Sequence, residues 1–157
     1  MLLQKVKLLN IKEFNSLKID IYCNEVIRLK KIEDLQKLSL RLRSKKIIIG
    51  EGTNIIVDST KKNPVDFPII FNQILGKKVL SKNSQEVIVR CNAGENWNNF
   101  VQWTLNKQIG GLENLILIPG SVGGAPVQNI GAYGVEISKY IKYIHAWDFK
   151  KSKIIIF

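Results

Sequence analysis

Short apolar runs divide the first third of the chain into strands and one helix. Period-2 apolar positions predict strands over 15–21 and 25–29. From residue 32 to residue 43 the apolar positions recur at helical spacing, which predicts a surface helix with one buried face. The continuous β-branched run at 47–49 is typical of a strand covered on both faces. These stretches together predict a βαβ-like unit.

The remaining chain alternates strand-like and helix-like stretches in the same way. Strand-like runs lie at 68–71, 77–80 and 86–91, and the last of them alternates clearly. A helix is predicted to begin near Trp97 and to end before the glycine pair at 110–111. Trp97 and Trp103 could form a base-stacking platform, but aromatic residues at helical spacing are more often core residues, and we favour the core.

The predicted lobe boundary and the last predicted elements involve three further stretches. The polar turn at 61–64 is expected to separate two lobes, at 1–66 and 67–157.

Near the end of the chain, strand-like runs at 140–149 and 153–157 predict a hairpin. Because the chain stops inside the second of these runs, the sequence suggests a truncated protein.

Charge is the most unusual property of the composition. Lys and Arg number 24 against 13 Asp and Glu, which gives a net charge of +11 over 157 residues and a pI near 9.7. This excess suggests an anionic partner such as nucleic acid. However, almost all the cations are lysines scattered in pairs, so we favour compositional drift of the surface and keep a basic nucleic-acid-binding module as the alternative.

Neither the cysteines nor the apolar runs indicate a secreted or membrane protein. Cys23 and Cys91 are far apart and lack the spacing of a zinc site, so we expect no metal, no disulfide and a reducing cytoplasm. The longest apolar runs are much shorter than the roughly 20 residues of a membrane helix. No secretory signal is recognisable at the N-terminus.

A glycine-containing turn follows the β-branched run at 47–49. Gly50-Glu51-Gly52-Thr53-Asn54 precedes another β-branched stretch at 55–57, which predicts a strand, a tight turn and a second strand. Glycines permit positive φ angles and bring main-chain amides close to an anion such as phosphate. The third glycine of a dinucleotide fingerprint is absent. From the residues alone, a simple turn explains the segment as well as a ligand site does.

A longer and more unusual segment lies at 118–134. It holds five glycines, two prolines and two carboxamides in seventeen residues and carries no charge. Main-chain amides could there bind phosphate, while Gln128 and Asn129 could each offer a donor and an acceptor to a heterocycle. A tightly packed structural loop explains this composition about equally well.

These motifs resemble those of a known family of flavoenzymes. The matching stretches are 15–17, 50–54, 93–97, 111–115, 118–126 and 128–136, in the family's order and at its separations. In these stretches the chain resembles the UDP-N-acetylenolpyruvoylglucosamine reductases of peptidoglycan precursor synthesis. The resemblance covers essentially the whole chain.

The resemblance implies an α+β fold, an FAD-binding domain of the p-cresol methylhydroxylase type whose two lobes hold an extended FAD between them. Two loops would hold the cofactor, and Tyr133 is expected to stack near the flavin or the substrate. The carboxylates of Glu51 and Glu113 are expected to order turns. The cofactor-binding positions implied are Gly50, Glu51, Gly52, Thr53, Asn54, Pro119, Gly120, Ser121, Gly123, Gly124, Ala125, Gln128, Asn129, Ile130, Gly131, Tyr133 and Gly134.

The implied reaction is NADPH-dependent reduction of the enolpyruvyl group of a UDP-sugar through FAD. The family's catalytic arginine, proton-donating serine or cysteine, and C-terminal glutamate have no matching position in this chain, and neither does its substrate-binding domain. We therefore predict no catalytic residue here and expect a truncated member or an inactive flavin-binding remnant. The single histidine, His145, is expected to be a structural or surface residue.

Overall fold

The strands of the fold are short, and a three-stranded parallel sheet is the largest unit that they form. A computed structural model describes residues 9–42, 45–56 and 65–157. The strands are β1 (Leu9–Asn10), β2 (Tyr22–Cys23), β3 (Val26–Leu29), β4 (Ile47–Ile49), β5 (Ile69–Asn72), β6 (Lys77–Lys82), β7 (Val87–Cys91), β8 (Gly131–Ala132), β9 (Val135–Glu136), β10 (His145–Asp148) and β11 (Lys153–Ile156). The helices are α1 (Asp34–Arg41), α2 (Trp97–Asn106) and α3 (Ala125–Gln128), with 3-10 turns at Lys12–Phe14, Glu113–Leu115 and Ile137–Lys139.

The parallel sheet has the strand order β3-β5-β4. β3 and β4 are joined by α1, as the sequence predicted for a βαβ-like unit, but they are not neighbours. β5 lies between them and pairs with both, Ile70 facing Ile27 on one side and Ile48 on the other. β5, which follows both strands in the sequence, therefore completes the sheet that β3 and β4 belong to.

β5 is buried on both of its faces. Ile69 and Phe71 belong to one apolar cluster, which is completed by Ile11, Ile21, Cys23 and Ile49. Ile70 points to the opposite face and packs with the buried leucines of α1, Leu35 and Leu38. Alternate side chains of a strand point to opposite faces, so one central strand supplies two cores.

The predicted helix at Trp97 is confirmed as α2. Trp97, Phe100, Val101 and Thr104 form its buried face, and a third apolar cluster packs around them. The indole nitrogen of Trp97 donates a hydrogen bond to the Leu115 carbonyl at 2.7 Å. Trp97 is thus a core residue, as we favoured, and Trp103 is half-buried beside it.

The predicted hairpin near the end of the chain forms as β10 and β11, and it packs against the first helix. Trp147 and Phe149 contact the cluster that α1 shares with β5. The Trp147 indole nitrogen donates to the Ser39 hydroxyl at 2.7 Å, and that hydroxyl in turn donates to the Leu35 carbonyl at 3.0 Å. These two consecutive hydrogen bonds therefore connect the hairpin to α1.

Replacing Ser39 by Ala is expected to lower the free energy of unfolding by about 1–2 kcal/mol, because the half-buried indole N–H of Trp147 loses its acceptor. Urea unfolding followed by Trp fluorescence measures the change. Ser84→Ala, at an exposed position, is the control. Equal unfolding midpoints for the two variants would show that the contact contributes nothing.

The strand predicted over 15–21 is absent, and this prediction is wrong. A 3-10 turn precedes the stretch, and Lys18 has a φ of 54°. The buried Asn15 side chain donates to the Lys12 and Ile19 carbonyls and accepts from the Ile19 amide, at 3.0–3.1 Å. Its amide thus satisfies the main-chain groups that a strand would have paired, a known competition between Asn side chains and regular structure.

Two expectations for the segment after α1 also fail. β4 is not covered on both faces, since it is an edge strand in which Ile47 and Ile48 are 42% and 53% exposed. Ile55 and Ile56 form no strand, and Ile56 is 89% exposed. Val57 and the predicted turn at 61–64 lie outside the described residues.

β5 lies next to the lobe boundary that was expected after residue 66. That boundary falls ahead of β5, which pairs in register with β3 and β4, two strands that precede the boundary in the sequence. A separate apolar cluster packs around α2. None of the described helices has the length and apolar character needed to cross a membrane.

Candidate functional site

The first glycine turn follows β4 and packs against the 3-10 turn near the N-terminus. Gly52 has a φ of 66°, and a Cβ there would overlap the Phe14 carbonyl oxygen. The Ser16 amide donates to the Gly52 carbonyl at 3.2 Å. Glycine is therefore required at this position by both conformation and space.

The second glycine-rich segment runs antiparallel to residues 93–97. The Trp97 amide donates to the Gly120 carbonyl, and the Val122 amide donates to the Glu95 carbonyl, both at 2.9 Å. The Gly123 amide donates to the Ala93 carbonyl, also at 2.9 Å. A short ladder thus fixes this segment against the residues that lead into α2.

The two glycine-rich segments meet although they are about seventy residues apart in the sequence. A Cβ at Gly50 would overlap the Ser121 hydroxyl. The Thr53 hydroxyl donates to the Pro119 carbonyl at 3.4 Å. The Asn96 side chain, which also caps α2, donates to the Glu51 carboxylate at 2.8 Å. These contacts join the turn at 50–54 to the segment at 118–134 and to the residue that caps α2.

A cavity of about 360 Å³ opens where these segments meet. It lies at the carboxyl ends of β4 and β5, the edge at which open parallel sheets usually bind ligands. Its volume falls at the lower end of the range for ligand pockets. It is lined by Glu13, Phe14, Gly50, Glu51, Phe71, Asn72, Gln73, Gly94 and Ser121.

The chemistry of the cavity wall is mostly neutral, with two carboxylates. Among the described residues that line it, none is Lys or Arg. The hydrogen bond from Lys18, at 2.8 Å, and the charge of that ammonium hold the pKa of Glu13 below its usual range. An anionic ligand in this cavity would therefore depend on neutral donors such as main-chain amides and the Ser121 hydroxyl.

Aromatic rings and a hydroxyl complete the wall. The Phe14 and Phe71 rings pack with their centroids 4.4 Å apart, which gives the wall an apolar surface suited to a flat heterocycle. Ser121 is buried, with an exposure of 5%. Its hydroxyl has no hydrogen-bond partner among the described residues, and it is available to a ligand in the cavity.

Only three of the positions implied by the resemblance line this cavity: Gly50, Glu51 and Ser121. Gly52, Thr53 and Gly120 belong to the same two loops but do not line the cavity. Gly52 packs against Phe14, and Thr53 contacts Gly120 and Pro119. Asn54 and Pro119 adjoin them in the sequence. Gly123, Gly124 and Ala125 lie where the second segment turns into α3.

The later positions form a separate small structure. Asn129 ends α3 with a φ of 44°. Its amide donates to the Glu136 carboxylate at 3.0 Å and accepts from the Ser138 amide at 3.1 Å, so both polar groups have partners within the loop. Gln128, Ile130 and Gly131 flank it, and none of them lines the cavity.

Tyr133 and Gly134 form the tip of the β8–β9 hairpin. Their φ angles are 52° and 78°, the pair of positive values that a type I′ turn requires. The Tyr133 side chain is 89% exposed. It projects from the hairpin and does not line the cavity.

Six residues of the wall were not among the expected site residues: Glu13, Phe14, Phe71, Asn72, Gln73 and Gly94. Asn72 and Gln73 end β5, so their place follows from the carboxyl-edge rule once β5 is known to be parallel to β4. Glu13 and Phe14 directly precede the stretch at 15–21 that was wrongly predicted to be a strand. No sequence signal available here places that segment beside β5.

The remaining candidates have simple environments. The Glu113 carboxylate accepts a hydrogen bond from the Gly111 amide, which orders a turn as predicted. His145 is exposed on β10. Cys23 and Cys91 are free, and burial raises the pKa of the Cys91 thiol to about 12. That thiol is therefore protonated and unreactive at neutral pH.

Comparison with known protein families defines the class to which this fold and cavity belong. A family described as "FAD binding domain" matches residues 24–156. The chain belongs to the FAD binding domain family. The FAD cofactor predicted from the motifs is confirmed at the level of this family.

Several curated proteins of one name are similar to this chain in sequence. UDP-N-acetylenolpyruvoylglucosamine reductase of Idiomarina loihiensis is 41% identical over 147 residues, which cover 92% of this chain and 41% of that protein. The enzymes of the same name from Flavobacterium johnsoniae and Buchnera aphidicola are 40% and 35% identical, covering 82% and 93% of this chain and 37% and 43% of those proteins. The chain thus spans about two fifths of the length of these relatives.

A solved structure confirms the fold. The chain superposes on UDP-N-acetylenolpyruvylglucosamine reductase (MurB) from Thermus caldophilus with a TM-score of 0.71 at 18% identity, covering 98% of this chain and 52% of that one. The α+β FAD-binding fold of the p-cresol methylhydroxylase type is therefore confirmed. None of these comparisons supports the alternative of a nucleic-acid-binding module.

Proposed function

We propose that this chain is the FAD-binding part of a UDP-N-acetylenolpyruvoylglucosamine reductase, which uses NADPH to reduce UDP-N-acetylglucosamine enolpyruvate to UDP-N-acetylmuramate. The observation that carries the proposal is the meeting of the two motif loops at one cavity, where a Cβ on Gly50 would overlap the Ser121 hydroxyl. The names of the relatives support the substrate. When bound, FAD would supply the hydride chemistry between NADPH and the enolpyruvyl double bond, and the residues of the two loops would hold it.

The residues of the cavity fit part of a flavin dinucleotide in their donor chemistry and in their aromatic surface. Glycine-rich main chain from both loops allows close approach of a diphosphate, and the Phe14–Phe71 pair offers an apolar face to a ring. A cavity of about 360 Å³ can hold only part of an extended dinucleotide. The loop and hairpin positions at 123–134 are the candidates for contact with the rest.

We assign these residues the binding and positioning of FAD, and none of them a proton transfer. The first lobe extends through β5 in this proposal, and the second lobe begins with β6. Free thiols at Cys23 and Cys91 support a reducing compartment, the cytoplasm, as the place of the reaction.

Replacing Ser121 by Asp is expected to weaken FAD binding about tenfold, because the variant adds a third carboxylate to the cavity wall, beside the loops proposed to hold the diphosphate. Titration of FAD into flavin-free protein, followed by quenching of flavin fluorescence, measures the affinity. Far-UV circular dichroism confirms that the variant is folded.

Ser84→Asp adds the same charge at an exposed position and is expected to bind FAD like the wild-type chain. Ser121→Ala removes only the hydroxyl and is expected to lose a smaller part of the affinity. Folded wild-type protein that neither quenches nor retains FAD would refute the proposed function.

A further inference from the structure

Glu95 is the one charged side chain that is buried among the described residues, with an exposure of 9%. It stands between Gly94, which lines the cavity, and Asn96, which caps α2. Burial of a carboxylate is costly unless the charge is paired and hydrogen-bonded. The contacts of Glu95 therefore show which parts of the fold this charge holds together.

Both carboxylate oxygens of Glu95 have partners at the start of β6. Oε1 accepts from the Gly76 amide at 2.8 Å, and Oε2 accepts from the Lys77 ammonium at 2.6 Å. The Lys77 side chain is 24% exposed and that of Glu95 is 11% exposed, so solvent screens this pair less than the surface pairs of the protein. The side chain thus fixes the connection that leaves β5.

The main chain of Glu95 makes the second attachment. Its carbonyl accepts from the Val122 amide at 2.9 Å, directly after Ser121 of the cavity wall. Gly94, on its other side, donates to the Ile74 carbonyl at 2.9 Å. Glu95 therefore joins the connection from β5 to β6 with the loop that carries Ser121.

A buried ion pair is weak evidence for stability, and its best-supported use is to specify one geometry. Gln73 and Ser121 both line the cavity, and the contacts of Glu95 and Gly94 connect the two segments that carry them. An apolar pair of similar size would fill the space without directing a bond to the Gly76 amide. The Glu95 carboxylate is thus suited to holding the Gly76 amide and the Lys77 ammonium in fixed positions.

We propose that Glu95, held by Lys77, is a positioning residue that sets the width of the cavity and thereby the affinity for FAD. The inference rests on the proposed binding of FAD there. Glu95 does not line the cavity and acts through Gly94 and the Ser121 loop.

The ionisation of Glu95 offers a measurement of this role. Burial raises the pKa of Glu95, but the hydrogen bonds from Lys77 and the Gly76 amide, with the Lys77 charge, outweigh it and leave the pKa below its usual range. The titratable groups that face Glu95 are Lys77 from β6 and Cys91 from β7. The Cys91 thiol, with its pKa near 12, stays neutral throughout the acid range.

Glu95→Gln keeps an acceptor for the Gly76 amide and removes the charge, and Lys77→Met removes the partner. Each is expected to weaken FAD binding about tenfold, and the double variant no further, because both changes break the same interaction. Lys77→Arg, which keeps the charge, is expected to retain most of the affinity. Fluorescence titration on the full chain measures all four.

The exposed pair Glu86–Lys142, at 3.1 Å, is the matched control. Glu86→Gln and Lys142→Met are expected to leave the affinity for FAD within about twofold of the wild-type value, as for surface ion pairs in general. Loss of affinity in these controls equal to that in the Glu95 and Lys77 variants would refute a specific role for Glu95.

A second measurement separates positioning from simple stabilisation. If protonation of Glu95 weakens FAD binding tenfold, FAD binding must lower the pKa of Glu95 by about one, since the two effects are linked. Carboxyl NMR titration with and without FAD detects this change, and a merely structural carboxylate would titrate identically in both. The affinity for FAD then falls as the pH drops from the pKa of Glu95 in the free protein to its lower pKa in the complex.

The outcomes distinguish this inference from the function on which it rests. Wild-type protein that binds FAD, with unchanged affinity in Glu95→Gln and Lys77→Met and an unchanged Glu95 titration, would overturn the role of Glu95 alone. Wild-type protein that does not bind FAD would overturn both.

Discussion

Replacement of Trp97 by Ala is expected to lower the free energy of unfolding by about 3–5 kcal/mol, the largest effect of any single change considered. Trp97 is 2% exposed and packs edge-on against Phe100, with ring centroids 5.9 Å apart. Its removal leaves a cavity in the apolar cluster around α2 and deprives the Leu115 carbonyl of its indole donor. Urea unfolding followed by far-UV circular dichroism measures the loss.

Trp103→Ala is the matched control on the same helix. Trp103 is half-buried and stacks on Phe100 at 6.0 Å, so its removal is expected to cost less than half as much. Equal losses for the two tryptophans would mean that the core is not centred on Trp97.

Replacement of Gly94 by Ala is expected to cost about 2–3 kcal/mol of stability and to weaken FAD binding by more than tenfold. A Cβ at this position would lie 2.5 Å from both the Gln73 carbonyl carbon and the Ile74 nitrogen. Main-chain atoms cannot rotate away as a side chain can, so the loop itself must shift. The shift moves the cavity wall, because Gly94 and Gln73 both line it.

Gly110→Ala is the control for this change. A Cβ at Gly110 would come no closer than 3.9 Å to the Glu113 carboxylate, so stability and FAD affinity are expected to stay near the wild-type values. Thermal unfolding and flavin titration on the same samples give both quantities. Wild-type affinity in folded Gly94→Ala protein would contradict the placement of the site.

The sequence predicted the elements whose signals are local. The helical spacing around Trp97 and the β-branched run at 47–49 both gave the correct type of element. The predictions from the sequence failed where the structure depends on a side-chain hydrogen bond or on pairing with a distant strand. Asn15 pairs main-chain groups through its amide, and β5 enters the sheet between two strands that precede it in the chain.

The site shows the same division between local and distant information. Glycine content marked both loops, and the structure brings Gly50 and Ser121 together. Gln73 reaches the cavity wall because β5 lies parallel to β4, and Phe14 reaches it by packing on Phe71 of β5. Their residue types carry no mark of that placement, since it depends on a long-range pairing that no local pattern encodes.

The position of β5 also constrains the order of events during synthesis. β3 and β4 emerge from the ribosome well before Ile69–Asn72, and neither can pair with the strand that will lie between them until that segment has been translated. The nascent chain must therefore carry the β-branched run of β4 without its partner through that interval. Such an unpaired strand is a template for association with other chains until β5 has been made.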